Sequence, residues 1–250
     1  NKTQVEDNSM PIKSCSRARG LYFLVLDVET TGLPMFPRRS PRCQLPQFYH
    51  PTNLHAYSGA RMIELAWQMY SSKGRLLEEE TTLVRPVRPS DVHFDPNATA
   101  VHGIDPQDVK NSTITTRGAL TRLHEILTRF PVTDIVIVGH NVMFDFHVLM
   151  SEAHRVGDLE TCVLMQMAQQ HCTMLSNTAF CGLKRFCGRP KWPTLDELVD
   201  ACGGDDNNEI ERHRALGDVQ RTAECFFWLA RQKSVPGVTR VTLVTHVTRA

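Results

Sequence analysis

Asp27 and Glu29 stand two residues apart at the end of the run L-Y-F-L-V-L-D-V over 21–28. Alternate residues of a strand project from the same face, so both carboxylates share one side of the sheet. Two acids so placed repel each other unless a cation lies between them. A third acid, Asp145, follows V-G-H-N-V-M-F (138–144), where a second apolar strand runs into a helix. A fourth, Asp218, closes H-R-A-L-G-D (213–218) just ahead of the last amphipathic stretch. Gly217 reads as a break there, so that Asp218 opens the helix and His213 lies on the loop before it. Singly, each has a plain explanation: strand-end acids are often merely exposed, and an acid in a first helical turn complements the helix dipole. As a set they are more specific. Four hard oxygen donors suit Mg²⁺ or Mn²⁺, and an imidazole titrates near neutral pH.

The elements that must position these residues can be read from periodicity. Leu21–Val28 is nearly continuous apolar and β-rich, as a strand buried on both faces requires. It is followed by Thr30-Thr31-Gly32-Leu33, a tight turn at the strand's carboxyl end, the edge where open α/β sheets place their sites. Met62–Tyr70 and Thr81–Val84 read as two further strands around the turn Ser71-Ser72-Lys73-Gly74, giving an antiparallel meander. Ala119, Leu120, Leu123, Ile126, Leu127 and Phe130 have helical spacing, and Asp134–Val138 is a short buried strand after them. Phe146, Leu149, Met150 and Ala153 mark a second helix, and Val219, Ala223, Phe226, Phe227 and Ala230 a third. A short strand at Cys172–Leu175 and helical stretches near 181–187 and 194–202 fill the interval. The predicted class is α/β, a mixed central sheet of about five strands flanked by helices.

Residues 1–18 are polar and are expected to lie outside the fold; Met10 is a candidate start, and Lys13, Arg17 and Arg19 give the stretch after it a faint transit-peptide character. The folded domain is placed at 19–233, with 234–250 as a tail or edge strand. Residues 34–60 read as a loop insertion, with Pro34, Pro37, Pro41, Pro46 and Pro51 among Arg38, Arg39, Arg42, Phe48, Tyr49 and Tyr57. Basic and aromatic residues interleaved in this way can grip a single strand; a solvated insertion is the alternative.

Lys and Arg total 28 against 27 Asp and Glu, so a net charge of +1 argues against a histone-like polyanion binder and leaves only local patches. No apolar run is long enough for a membrane span, and no secretory h-region is present, so an intracellular protein without a membrane partner is expected. The eight cysteines lack C-x-x-C pairs and read as reduced thiols. A zinc site from His171, Cys172, Cys181 and Cys187 is the alternative, against the common spacings.

At this point the chain resembles a known family, the DEDDh 3′→5′ exonucleases of the ribonuclease H-like fold, related to the epsilon proofreading subunit of bacterial polymerase III. The resemblance spans roughly 21–232 and rests on D-V-E-T-T-G-L (27–33), H-N-V-M-F-D (140–145) and H-R-A-L-G-D (213–218) in order, with V-H-G-I (101–104) between the first two. A histidine five before the last acid marks the His subclass. The resemblance implies a three-layer fold in which Asp27, Glu29, Asp145 and Asp218 hold two divalent cations, Mg²⁺ or Mn²⁺, and His213 is the general base. It implies contacts from Thr30, Leu33, His102 and Asn141 to the terminal nucleotide, and release of nucleoside 5′-monophosphates. The partner implied is a single-stranded or frayed 3′ end, DNA ahead of RNA. An exoribonuclease is the first alternative, and an inert nucleic-acid-binding module on the same fold the second. The insertion at 34–60 departs from the shortest members of the family.

Overall fold

A computed structural model describes residues 20–38, 47–88, 92–204 and 213–232. Strands β1 (Tyr22–Thr30), β2 (Met62–Ser71), β3 (Leu76–Leu83), β4 (Ile135–Gly139) and β5 (Gln169–Cys172) form one mixed sheet in the order β3-β2-β1-β4-β5. The β1–β2 and β2–β3 pairs are antiparallel, the meander expected from the sequence, while β1–β4 and β4–β5 are parallel. Parallel pairs need crossovers, and helices supply them. Between β3 and β4 lie α1 (Pro96–His102), α2 (Pro106–Asn111) and α3 (Thr116–Arg129). Between β4 and β5 lie α4 (Val142–Val156) and α5 (Leu159–Met167). After β5 come α6 (Thr173–Ser176), α7 (Thr178–Cys181), α8 (Leu195–Ala201) and α9 (Ala215–Gln232).

The sheet is covered on both faces, which is why β1 reads as an unbroken apolar run. Leu24, Leu26 and Val28 face a core shared with Leu120, Leu123, Leu149 and Met165 of α3, α4 and α5. Phe23 and Val25 point the other way, against Val219 and Ala223 of α9. The third layer is thus the carboxyl-terminal helix, laid across β1 and β2.

The elements differ from the sequence reading in five places. First, β3 begins at Leu76 rather than Thr81. Its polar half carries Glu78, Glu79 and Glu80 on an edge strand, where Glu78 pairs with Arg129 and Glu80 with Arg122 of α3. Second, β5 ends at Cys172 instead of starting there, and the apolar pair Met174-Leu175 sits in a helical turn. Third, α1, α2 and α5 went unread; each of the first two opens on an Asp cap followed by proline. Fourth, no helix spans 181–187; α7 ends at Cys181, capped by Gly182, and Lys184 and Pro190 form an antiparallel bridge. Fifth, Gly217 lies inside α9 rather than breaking it. The expectations for 1–18 and 234–250, and for Arg39, Pro41, Arg42 and Pro46 of the insertion, lie outside the described residues. Among the described residues no helix is long and apolar enough to cross a membrane.

Candidate active site at the carboxyl ends of β1 and β4

Asp27 and Glu29 share the face of β1 on which Val25 meets α9. Across the β1–β2 pair, Asp27 lies opposite Ala66 and Glu29 opposite Glu64. A small residue beside Asp27 leaves room for its carboxylate. Two glutamates directly opposite each other would be unfavourable without a compensating charge.

Asp145 arrives from the other strand. β4 pairs with β1 only as far as Val25↔Val138 and ends at Gly139, whereas β1 continues to Thr30. Beyond that point the β4-facing edge of β1 has no strand partner, and buried N–H groups need one. The Val28 N–H donates to Asp145 Oδ1 at 3.2 Å. The chain turns sharply enough to deliver Asp145 because Asn141 takes a left-handed conformation, φ 68°. At Gly139 a Cβ would lie 3.1 Å from the Val142 side chain, so the close passage of strand end to helix start favours glycine.

Asp218 is in the first turn of α9, and His213 lies on the turn before it with φ 57°. Carboxylate oxygens of Asp27, Glu29 and Asp218 all fall within 4.8 Å of one another. Asp145, 2% exposed and fixed to Val28, borders this trio. The turn bearing His213 is held by a residue the sequence reading did not single out. Glu64 accepts from Arg214 Nε at 3.1 Å, from a second Arg214 guanidinium nitrogen at 2.6 Å, and from the Ala215 N–H at 3.0 Å. Arg214 thus offsets the charge of Glu64 where it faces Glu29, and the same contacts fix the approach to α9. Arg221, one turn further on, pairs with Asp196 of α8 and lies 3.6 Å from Asp218. The available signal for Glu64 was an acid inside the otherwise apolar M-I-E-L-A segment of β2.

The electrostatics of the cluster are those of crowded, poorly hydrated acids. Burial, then Asp145, Glu29 and Asp218, push the Asp27 carboxyl well above the usual range. Burial and Asp218 raise Glu29 to about 9, with Arg214 opposing. Burial raises Asp145 to about 8 against the hydrogen bond from Val28. Asp218 is raised by burial and eased by Arg221 and His213, and its Oδ1 has no hydrogen-bond partner. Such a set favours either protons or a bound cation.

The remaining predicted site residues divide into two pairs. Leu33, 68% exposed, and Asn141 border one cavity of about 400 Å³, walled by Phe36 and Phe48 of the insertion, Phe144 of α4 and Trp192. The Asn141 Oδ1 is buried without a hydrogen-bond partner. Thr30 and His102 are instead buried beneath the turn: the Thr30 hydroxyl donates to the Gly32 carbonyl, and His102 Nδ1 accepts from the Ile104 N–H. Burial holds the His102 imidazole below its ordinary value. His140 of the second motif is also structural, bonded to Thr173 Oγ1 and to the Pro193 carbonyl at 3.1 Å each. A cavity of similar size, about 390 Å³, lies by Tyr22 and Phe130 at the other end of β1, away from the acids.

The zinc alternative finds no support among the described residues. His171 packs against Phe226 and meets Ser176, Cys187 is exposed, and these residues do not converge with Cys172 and Cys181. All six described cysteines are free thiols, as expected.

The exonuclease family model of the ribonuclease T type matches residues 24–226. Ribonuclease T of Escherichia coli strain K12 is 25% identical over 227 residues, covering 89% of this chain and 90% of that protein. Ribonuclease T of Shigella flexneri gives the same figures. Among solved structures, Exonuclease I of E. coli in complex with a dA16 oligonucleotide superposes with a TM-score of 0.62 at 20% identity, covering 86% of this chain and 41% of that one. A product-bound structure of exonuclease I gives 0.61 at 18% identity, covering 85% and 44%. The chain spans less than half the length of these structures, and the likeness to them is one of fold.

Proposed function

The chain belongs to the exonuclease family matched over residues 24–226 and is a 3′→5′ exonuclease of nucleic acids; on that premise we propose that Asp27, Glu29, Asp145 and Asp218 hold two divalent cations, Mg²⁺ or Mn²⁺, and that His213 is the general base. The observation that carries this reading is the gathering of Asp27, Glu29 and Asp218 oxygens within 4.8 Å, with Asp145 tied to the strand beside them. The donor set fits hard cations: it is all carboxylate, it is short of compensating charge, and one buried oxygen of Asp218 has no hydrogen-bond partner. When bound, two such ions supply Lewis-acid stabilisation of the attacking and departing oxygens of an in-line displacement.

The protein's own residues do the rest. His213, on an exposed turn bordered by Asp218, accepts the proton of the attacking water at its unprotonated ring nitrogen. The water oxygen bonds to the terminal phosphorus, the bond from phosphorus to the upstream 3′ oxygen breaks, and that oxygen takes a proton from solvent. The products are a nucleoside 5′-monophosphate and a shortened strand with a free 3′-hydroxyl. Leu33 and the aromatic wall receive the terminal base, and the Asn141 amide oxygen accepts from a donor on it. A cavity of about 400 Å³ suits an unpaired base, which supports a single-stranded or frayed end as substrate.

DNA is the proposed substrate, in keeping with Exonuclease I and its dA16 oligonucleotide. RNA is the second reading, supported by the likeness to Ribonuclease T across 90% of that protein. The test is incubation of 5′-labelled single- and double-stranded DNA and RNA with Mg²⁺, Mn²⁺ or chelator. A ladder shortening from the 3′ side, absent in chelator, is expected. Internal cuts, or a ladder unaffected by chelator, contradict the reading.

A further inference from the structure

Between α7 and α8 the chain makes a short hairpin that the site described above does not use. Lys184 and Pro190 form its bridge, the Arg185 N–H donates to the Arg189 carbonyl at 2.8 Å, and the Lys191 N–H donates to the Leu183 carbonyl at 2.9 Å. Gly188, at φ 76°, closes the turn in a conformation that glycine adopts without strain. The projecting residues Lys184–Pro190 are all exposed.

Its composition is unlike that of the chain as a whole. Lys184, Arg185, Arg189 and Lys191 put four of the 28 basic residues within eight positions, and no acid falls among them, although the whole protein carries a net charge of only +1. Lys191 is paired with Glu197 of α8, which leaves three cations on the exposed part. At the tip, Phe186 is fully exposed at 112%. Clustered like charges and a bare aromatic ring are both costly to hold together in water, and a polyanion with stackable rings removes both costs.

The hairpin is also joined to the active site. The Arg185 guanidinium lies over the Trp192 ring, 5.7 Å from its centroid, and Trp192 walls the same cavity as Leu33 and Asn141. The next residue, Pro193, is held through its carbonyl by His140, five residues before Asp145. A strand whose terminal base occupies that cavity has this hairpin at its rim.

We propose that the hairpin 183–191 grips the single-stranded segment just upstream of the terminal nucleotide, with Lys184, Arg185 and Arg189 on phosphates and Phe186 stacked on a base. This rests on the exonuclease reading, and binding measured in chelator separates the two. Fluorescence anisotropy with single-stranded DNA and RNA of about 16 nucleotides, against a dinucleotide, gives the affinity ratio for wild type, Phe186→Ala and the triple variant Lys184→Ala/Arg185→Ala/Arg189→Ala. Phe186→Ala is expected to lower that ratio on the order of tenfold. The triple variant is expected to reduce the slope of log Kd against log salt by roughly 2, the counterion release of three phosphate contacts on a single strand. Lys73→Ala, in the β2–β3 turn at the far end of the sheet, serves as the control. All changed residues are exposed, and a single Arg189→Gln variant gives the same test, with a slope change of roughly 0.7, should the triple variant fold poorly. Unchanged ratio and slope in folded variants, or a loss seen only with duplex, overturns the hairpin assignment. Absence of Mg²⁺-dependent shortening by wild type would instead count against the exonuclease reading, whatever the binding data.

Discussion

The Asp145 carboxylate accepts a hydrogen bond from the Val28 backbone N–H at 3.2 Å, across 117 residues of chain. This contact joins the second acidic motif to the first at the point where β1 outruns β4. It also orients a carboxylate that forms no ion pair among the described residues, one turn from the Asn141 amide that borders the base cavity.

Replacing Asp145 by Asn keeps an acceptor for Val28 and removes a carboxyl whose ionisation burial disfavours. The metal-free variant is expected to melt at or above the wild-type temperature in chelator. Wild type at a hundredfold excess of Mg²⁺ over Kd is expected to gain about 2.7 kcal/mol for each ion bound, the one-site linkage value for such saturation. The variant gains little of this. Differential scanning calorimetry with and without Mg²⁺ checks both, and an undiminished Mg²⁺ gain in the variant would remove Asp145 from the ligand set.

His213→Ala is expected to lower kcat by about 10² to 10⁴, the range for loss of a positioned base, while leaving the Mg²⁺-dependent rise in melting temperature near that of wild type. Single-turnover cleavage of a labelled oligomer measures the first. A variant with full kcat shows that another group removes the proton.

Glu64 is expected to act through Arg214. Glu64→Gln retains an acceptor but loses one charge-assisted pair, and Glu64→Ala leaves the Ala215 N–H unpaired as well; hydrogen bonds to charged groups are worth about 1.5–3 kcal/mol. The order of kcat should be wild type, then Gln, then Ala, with KM for the oligomer little changed, because the fault lies in the placement of the His213 turn. Equal kcat in all three proteins would reduce Glu64 to a packing role.

The pH dependence of the metal-free protein follows from the raised carboxyls. Glu29 moves from 4.5 to about 9 and Asp145 from 3.8 to about 8. Over that interval the folded state keeps protons the unfolded chain has released, so stability falls as pH rises. Thermal melts in chelator should therefore decline from the ordinary carboxyl range up to about 9. Cation binding needs the ionised forms, so the stabilisation by Mg²⁺ should grow over the same interval. Melts that stay flat with pH in chelator would contradict the crowding of the acids.

The five proposed site residues were legible in the sequence as an ordered set, each near the end of a strand or the start of a helix, although each alone has a plain structural explanation. Asp27 and Glu29 interrupt an apolar run; Asp145 follows a strand-to-helix passage and Asp218 opens the last helix, but the turns lie at Asn141 and His213, and Gly217, read as the break, lies inside α9. Glu64 and Arg221 were not legible as site residues, because their partners Arg214 and Asp196 lie far away in sequence and meet them only after α9 has docked. The strands β3 and β5 blurred for a related reason. They are polar edge strands, whose identity comes from pairing with β2 and β4 rather than from their own periodicity. Two short helices were signalled and passed over: Asp95-Pro96 and Asp105-Pro106 each place a cap and a proline at a helix start.

Calorimetric titration of Mn²⁺ into wild type and Asp27→Asn, in the presence of a nucleoside 5′-monophosphate, tests the central claim most directly. Wild type should take up two ions per chain and Asp27→Asn at most one, with oligomer shortening lost in the variant. Equal uptake by both proteins, with shortening intact in the variant, would place the metal chemistry elsewhere in the molecule.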